Sequence, residues 1–285
     1  MADYRKKFFV EPEKSFRLDD IDADAGPESV TQDDALLQTK QHLARMAELQ
    51  YLLYSDGEQS LLVVLQGPDA SGKDGTIRNL FSGMNPQGVT VAKFDAPSHA
   101  EAAHDFLWRV HNRAPAKGQV AIFNRSHYED VLIVRVRKLT PKVNWKRRFQ
   151  SIADFESLLS DNGVRILKFY LHISREEQLR RFKKRIDDPA RSWKISESDY
   201  TDRDLWPQYD AAYEEVMAAT STKAAPWFVI PANHKWFRNL AISQIVVGAM
   251  TEMDLKLPKC TVDLDAIVRK YHAAKIAQEN GASKK

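Results

Sequence analysis

The stretch LLVVLQGPDASGKDG at residues 61–75 places a run of apolar residues directly before a glycine-rich turn and a lysine. Its glycines and lysine match the pattern G-x-x-x-x-G-K. In this pattern, backbone N–H groups at the start of a helix cradle phosphates and the lysine reaches the outer phosphates. The stretch therefore predicts a strand, a phosphate-binding loop and a helix. The residues predicted to bind phosphate are Gly67, Ala70, Ser71, Gly72, Lys73, Asp74 and Gly75.

Two acidic residues set this loop apart from the usual pattern. Asp74 stands where a serine or threonine normally binds magnesium, and Asp69 places a carboxylate inside the loop. A carboxylate beside a bound phosphate is repelled unless a cation lies between them. We therefore predict that Asp69 belongs to a metal site or orients the nucleophile. The alternative is a glycine-rich turn between strand and helix that binds no ligand.

Apolar runs rich in Val, Ile, Leu and Phe predict five strands, with helical patterns between them. They are residues 61–66, 89–94, 119–124, 164–171 and 227–231. Near-continuous apolar strands that alternate with helices are typical of a parallel sheet covered on both faces. The expected fold class is therefore α/β, with three α/β/α layers around a five-stranded parallel sheet. In such sheets, ligands bind at the carboxyl ends of the strands.

The chain divides into three predicted segments. Residues 1–54 combine an irregular arm with a helix that Thr31 and Asp34 can cap. Residues 55–255 hold the strands and form the main domain. Residues 256–285 are predicted to form a C-terminal helix and a tail.

Length, composition and charge exclude several classes of protein. The 285 residues are 43% hydrophobic and 28% charged with a net charge of +3, which is typical of a globular protein and not of a general polyanion binder. No run approaches the roughly 18 apolar residues of a membrane span, and the N-terminus lacks the apolar region of a secretory signal. Cys260 is the only cysteine, so no internal disulfide can form and a cytoplasmic location is expected. No aromatic platform interleaves with the basic residues, so nucleic acid is not an expected partner.

The polar run NRSHYED at residues 124–130 follows the third predicted strand. If this strand neighbours the first, Arg125 lies beside the phosphate loop and can bind phosphate bidentately. Asp130 can hold magnesium directly or through water. Glu129 and Asp130 alone would suit a solvated helix start, but their position beyond a parallel strand favours a functional role. His127 can as well be a packed or capping histidine as a catalytic one.

The segment 175–194 carries eight basic residues against four acidic ones. Arg181 and Arg185 are four residues apart and share one face of the predicted helix. Pro189 disfavours helix at the residue before it and so ends this helix. A basic helix followed by a turn predicts a lid, at about residues 175–200, that closes on phosphate and excludes water. The alternative is a solvated helix without a specific role.

Taken together, these motifs resemble the polyphosphate kinase 2 family, whose P-loop kinase core is similar to that of thymidylate kinase. The matching stretches are GPDASGKDG at 67–75, HDFLWRVH at 104–111, FNRSHYEDVL at 123–132, RFKKRIDDPARSWKIS at 181–196 and TSTKAAPWFVIPANHKWFRNLAIS at 220–243. The resemblance implies a P-loop kinase-like fold with a helical lid. It also implies reversible phosphoryl transfer between inorganic polyphosphate and adenine or guanine nucleotides, with Mg²⁺, or Mn²⁺ in its place, as the cofactor.

The resemblance also implies roles for individual residues. Lys73 and Arg125 would hold the transferring phosphates. Asp69 and Asp130 would position the metal and the attacking nucleotide phosphate. The implied catalytic residues are Asp69, Lys73, Arg125, Asp130, Arg181 and Arg185, of which the last two are the lid cations, and Arg191 and Lys194 would line the polyphosphate path.

The run after the third strand also resembles one subgroup of the family. Asn124 with Glu129 and Asp130 is similar to the subgroup (class III) that accepts both AMP and ADP, so Asn124, Arg125, Glu129 and Asp130 are expected to bind the nucleotide. The family resemblance also implies a homodimer or homotetramer. Two alternatives remain: a nucleotide kinase of the thymidylate-kinase type that uses ATP as its donor, and a non-catalytic P-loop module.

Overall fold

The sheet at the centre of the fold is entirely parallel and has the strand order β2-β3-β1-β4-β5. The computed structural model describes residues 3–26 and 30–282, with side chains through residue 279. The strands are β1 (Ser60–Gln66), β2 (Val89–Lys93), β3 (Val120–Asn124), β4 (Val164–His172) and β5 (Trp227–Pro231). Each begins and ends within one residue of its predicted bounds, and the expected α/β fold class is confirmed.

Helices lie on both faces of this sheet. In the described residues they are α1 (Tyr4–Phe8), α2 (Gln32–Asp56), α3 (Lys73–Leu80), α4 (His99–Ala102), α5 (Trp108–His111), α6 (Ile133–Val136), α7 (Lys142–Asp161), α8 (Arg175–Ile186), α9 (Glu197–Asp204), α10 (Trp206–Thr220), α11 (Lys235–Thr251) and α12 (Leu264–Ala282). Short 3₁₀ turns occur at Leu18–Asp20, Pro86–Gly88, His127–Asp130 and Ser192–Lys194.

The two cores on either side of β1 explain why its sequence is apolar throughout. Leu61, Val63 and Leu65 belong to the core under α2 and α11, whereas Leu62 and Val64 belong to the core under α7 and α10. Successive side chains of a strand point to opposite faces, so a strand buried on both faces needs an apolar residue at nearly every position. The result is the predicted three-layer α/β/α arrangement.

The N-terminal arm covers the β5 edge of the sheet, where Phe9 forms an antiparallel bridge with Phe228. Beyond the arm, the Thr31 hydroxyl accepts the backbone N–H of Asp34 at 3.2 Å, which is the predicted cap of α2. The predicted C-terminal helix is present as α12. Residues 1–2 and 27–29 of the predicted arm and 283–285 of the predicted tail lie outside the described residues. Among the described helices, none is long and apolar enough to cross a membrane.

Candidate active site

The loop after β1 is built around two glycines with positive φ. Gly67 has a φ of +142° and Gly72 a φ of +107°, angles that residues with a side chain rarely adopt. Gly72 immediately precedes Lys73, the first residue of α3. A Cβ on Gly72 would clash with Nη1 of the buried Arg238. The glycine therefore lets a guanidinium pack against the start of α3, whose first N–H groups and dipole favour an anion.

The ammonium group of Lys73 lies over the loop. Its Nζ donates to Gly67 O at 2.7 Å and to Pro68 O at 3.1 Å, and the side chain is buried. Burial lowers the pKa of Lys73 to about 8, although the charge of Asp69 opposes this shift. Lys73 is therefore protonated at neutral pH, and its N–H donors can exchange the two carbonyl oxygens for phosphate oxygens.

Asp69 and Arg125 join the loops that follow two neighbouring strands. β1 and β3 pair in parallel with Leu65 opposite Asn124, so both loops leave the same edge of the sheet. Arg125 Nη2 donates to Asp69 Oδ1 at 2.9 Å. Burial raises the pKa of Asp69, but the charges of Lys73 and Arg125 outweigh burial and hold this pKa below its ordinary range. Asp69 is therefore an ionised carboxylate with two cations beside it.

A further acidic residue, Asp199 of α9, completes this cluster. Its carboxyl group interacts directly with that of Asp69. Burial raises the pKa of Asp199, and the negative charge of Asp69 raises it further. Two carboxylates repel each other unless they share a proton or have cations close by. Besides the cations at Asp69, Arg185 Nη1 lies 4.0 Å from Asp199 Oδ2. Sequence analysis missed Asp199, because the pattern Ser196-x-x-Asp199 indicates only the start of a helix, which it also forms here.

Glu129 and Asp130 are adjacent in sequence but face different groups. Burial raises the pKa of Glu129, and the nearby charge of Arg125 opposes this rise. Asp130 instead lies between two other guanidinium groups: its Oδ2 is 3.7 Å from Arg109 Nη2 and its Oδ1 is 3.4 Å from Arg148 Nη1. Glu129 thus belongs to the cluster at the phosphate loop, whereas Asp130 is neutralised by partners that the sequence analysis did not single out.

All five N–H donors of Arg181 in α8 are engaged by protein atoms. Its Nε donates to Glu177 Oε1 at 2.6 Å. Its Nη atoms donate at 2.6–3.0 Å to the backbone oxygens of Ala70, Ser71, Ala232 and Asn233. In this arrangement no N–H remains for a phosphate oxygen. Arg181 here anchors the lid segment (residues 175–200) to the phosphate loop. Its role as a catalytic lid cation, which the family resemblance implies, stays a prediction.

The far end of the lid segment also contacts the phosphate loop, through Asp74. Lys194 Nζ donates to Asp74 Oδ2 at 3.2 Å, and Asn124 Nδ2 donates to Asp74 Oδ1 at 2.8 Å. Arg185 Nη1 donates to the backbone oxygen of Lys194 at 2.9 Å. Arg191 forms an exposed ion pair within the lid segment. Asp74 therefore links the start of α3, the end of β3 and the lid segment.

A cleft opens beside the loop. Asp69, Arg125 and Glu129 are among the residues that line it, together with Asp202 and Asp210. The aromatic residues that line the cleft are Trp206, Tyr209, Tyr213 and Tyr170. A cleft that combines charged groups with aromatic rings suits a small molecule that has an anionic end and a flat apolar end.

A family model for polyphosphate kinase 2 (PPK2) matches residues 29–258 of this chain. The chain belongs to the polyphosphate kinase 2 family. It is 47% identical over 264 residues to the AMP/ADP-polyphosphate phosphotransferase of Meiothermus ruber. The matched region covers 92% of this chain and 99% of that protein. It is 38% identical to the ADP-polyphosphate phosphotransferase of Rhodopseudomonas palustris, over 87% of this chain and 93% of that one. A crystal structure of polyphosphate kinase 2 from Arthrobacter aurescens TC1 matches it with a TM-score of 0.91 at 37% identity, over 95% of this chain and 97% of that chain.

In this polyphosphate kinase 2 family member, the predicted site residues with charged or amide side chains form three groups. The first group lies around the phosphate loop and consists of Asp69, Lys73, Arg125 and Glu129. A second group links the loop to β3 and the lid segment, and it consists of Asp74, Asn124, Lys194 and Arg181. Asp130 and Arg191 pair with residues outside the first group, whereas Arg185 lies 4.0 Å from Asp199.

Proposed function

We propose that this protein transfers phosphoryl groups from inorganic polyphosphate to AMP and to ADP, forming ADP and ATP, with guanine nucleotides as further acceptors. The observation that carries the proposal is the convergence of Lys73, Arg125 and Asp69 on a phosphate loop in a polyphosphate kinase 2 family chain. The extended match to an AMP/ADP-polyphosphate phosphotransferase supports polyphosphate as the donor and both nucleotides as acceptors.

Phosphoryl transfer requires the protein mainly to position two anions and to neutralise their charge. Lys73 and the N–H groups at the start of α3 would hold the phosphates of the donor. Arg125 lies between the loop and the cleft, where it would contact the attacking phosphate of the nucleotide. That phosphate is already an anion at neutral pH, since its second pKa is about 6, so no side chain has to act as a strong base.

The acidic cluster fits a hard divalent cation. Carboxylate oxygens are preferred ligands of Mg²⁺, which is usually held by one or two of them together with substrate phosphates, and Mn²⁺ suits the same ligands. We propose that Asp69 and Asp199 hold Mg²⁺, because the two carboxyl groups are close enough for each to shift the pKa of the other. Asp130, proposed from the sequence, is instead paired with Arg109 and Arg148. When bound, the ion neutralises phosphate charge.

Substitution of Asp199 by asparagine is expected to raise the Mg²⁺ concentration that gives half-maximal rate by about tenfold or more, since one of two charged ligands is lost. Titration of the initial rate with Mg²⁺ measures this. Asp130→Asn serves as the matched variant: it lowers the rate but leaves the Mg²⁺ midpoint within about twofold. A shift of the midpoint in D130N and not in D199N would contradict the proposal and would indicate that Asp130, as expected from the sequence, is a ligand of the metal.

The pKa of Lys73 predicts how the use of polyphosphate depends on pH. The charge that attracts phosphate is nearly complete one pH unit or more below the pKa of about 8, and it is lost from the free protein as the pH rises through this value. We therefore expect kcat/KM for polyphosphate to fall about tenfold for each further pH unit. Bound phosphate stabilises the protonated form of Lys73 and raises its pKa. The fall in kcat is therefore expected at a higher pH than the fall in kcat/KM. Initial rates between about pH 6.5 and 9.5 measure both parameters, and a flat kcat/KM would contradict the assignment.

We further propose that the protein works in the cytoplasm as a homodimer or homotetramer. Its single cysteine, Cys260, is free, which suits a reducing compartment. Apolar side chains on α2 and α12, including Leu37 and Tyr271, are exposed and available to a second copy. Light scattering of the purified protein measures the assembly, and a monomer at micromolar concentration would contradict it.

A comparison of phosphate donors tests the proposed function. Initial rates are measured with AMP, ADP and GDP as acceptors, each with either long-chain polyphosphate or ATP as the donor. We expect product from AMP and from ADP with polyphosphate alone. Product from ADP only would contradict the dual acceptor range. Product that requires ATP as the donor would identify a nucleotide kinase of the thymidylate-kinase type.

A further inference from the structure

A buried polar network lies behind the 3₁₀ turn His127–Asp130. Its centre is Lys168, in the middle of β4, whose side chain is fully buried. Lys168 Nζ donates to Glu156 Oε2 at 2.5 Å, to Tyr128 Oη at 2.9 Å and to Thr220 O at 2.7 Å. All three N–H donors of the lysine are therefore used inside the protein.

The network holds two side chains of that turn. Tyr128 Oη donates to Glu156 Oε1 at 2.8 Å, and His127 Nε2 lies 3.2 Å from the same oxygen. Both side chains are fully buried. Because Glu156 belongs to α7 and Lys168 to β4, the turn is tied both to a helix layer and to the sheet.

Stability alone does not account for this network. A buried ion pair loses the hydration of both charges, and its replacement by apolar residues of similar volume is often neutral or stabilising. The surrounding core is apolar, with Ile152, Phe155 and Ile166 all buried nearby in the same cluster. A connected polar network, by contrast, favours one arrangement of its members, since the three donors of Lys168 and both carboxylate oxygens of Glu156 are matched there. Within the described residues, His127 Nδ1 is the member atom that is buried without a hydrogen-bond partner.

The residue that benefits is Arg125, which has a strained backbone. Its φ of +63° is one that a residue with a side chain keeps only where the surrounding structure over-determines it. On one side, the Arg125 N–H donates to Leu65 O at 3.0 Å. On the other, the chain runs directly into Ser126, whose Oγ accepts the backbone N–H of Tyr128 at 3.2 Å. The buried side chains of the turn thus hold the strained residue from its C-terminal side.

We propose that Glu156 and Lys168 are positioning residues for phosphoryl transfer: through Tyr128 and His127 they hold the turn that sets Arg125 against Asp69. This inference rests on the proposed function. Neither residue contacts the cleft; both act on the reaction through the place of the Arg125 guanidinium.

A double-mutant cycle with Arg125 tests the proposal. The paired variant E156L/K168M removes both charges and keeps most of the side-chain volume, so it is expected to fold with a melting temperature close to that of the unmodified protein. Its kcat with AMP and polyphosphate is expected to fall about tenfold or more, with KM for polyphosphate changed by less than about twofold. In an R125A background, the same pair of substitutions is expected to lower kcat no further, because the residue through which they act is absent.

Ile245→Ala, in α11 on the other face of the sheet, is the control for lost stability and is expected to keep kcat within about twofold. If E156L/K168M does not fold, Tyr128→Phe, which removes one hydroxyl group, takes its place in the double-mutant cycle with R125A. Equal relative losses of kcat with and without Arg125, or an unchanged kcat in the paired variant, would overturn the positioning role. No polyphosphate-dependent turnover in the unmodified protein would instead overturn the proposed function.

Discussion

Replacement of Asp69 by asparagine is expected to lower kcat with polyphosphate and AMP by about a thousandfold or more. Asparagine keeps the size of the side chain but removes its charge. Arg125 then loses its ionic partner, and Asp199 loses the carboxylate that it faces. Both the guanidinium at the acceptor phosphate and the proposed metal site are disturbed by this single change. Initial rates of ADP formation by D69N and the unmodified protein measure the loss.

The matched control is Asp187→Asn, which removes the charge of an exposed aspartate that pairs with Lys183 in the lid segment. Because exposed ion pairs contribute little, D187N is expected to keep kcat within about twofold. Circular dichroism confirms that both variants are folded. Turnover in D69N within about tenfold of the unmodified rate would mean that Asp69 is not part of the reacting site.

Replacement of Gly72 by alanine is expected to lower kcat strongly and to reduce the stability of the fold. Gly72 has a φ of +107°, and a Cβ at this position would clash with the guanidinium of Arg238. The strained backbone and the clash together should cost about 2 kcal/mol or more in the free energy of unfolding. The loop must also move away from α11, so kcat should fall about a hundredfold or more. Thermal unfolding and initial rates measure the two effects.

Gly83→Ala provides the comparison for Gly72. A Cβ on Gly83 would meet no atom within 4 Å, and its φ lies outside the left-handed region. G83A is therefore expected to change the free energy of unfolding by less than about 0.5 kcal/mol and to leave kcat unchanged. If G72A behaved like G83A, the close packing of Arg238 against the start of α3 would have no role in holding the loop.

The sheet and the phosphate loop could be predicted because both depend on residues that are close together in the sequence. The apolar run of β1 is continuous since both faces of the strand are buried, and the glycines of the loop are required by positive φ angles. The place of Arg125 beside the phosphate loop was predicted on one assumption, that the first and third strands are neighbours, and the strand order confirms this assumption. Its ion pair with Asp69 is seen only in the structure.

The residues that the sequence analysis missed or placed differently depend on contacts between distant segments. Asp199 caps its own helix, and only the folded lid segment brings it to Asp69. Arg181 was predicted as a lid cation, and no sequence pattern indicates that its guanidinium binds four carbonyl oxygens from two separate loops. Lys168 lies in an apolar strand pattern, and no spacing rule indicates that its side chain donates hydrogen bonds to Glu156 and Tyr128.

The transfer of phosphorus from labelled polyphosphate to unlabelled AMP tests the central claim most directly. The purified protein is incubated with radiolabelled long-chain polyphosphate, AMP and Mg²⁺ in the absence of ATP, and the nucleotides are separated over time. We expect label first in ADP and then in ATP, and about a thousandfold less of both with D69N. Nucleotides that stay unlabelled, while the same protein phosphorylates AMP from ATP, would contradict it.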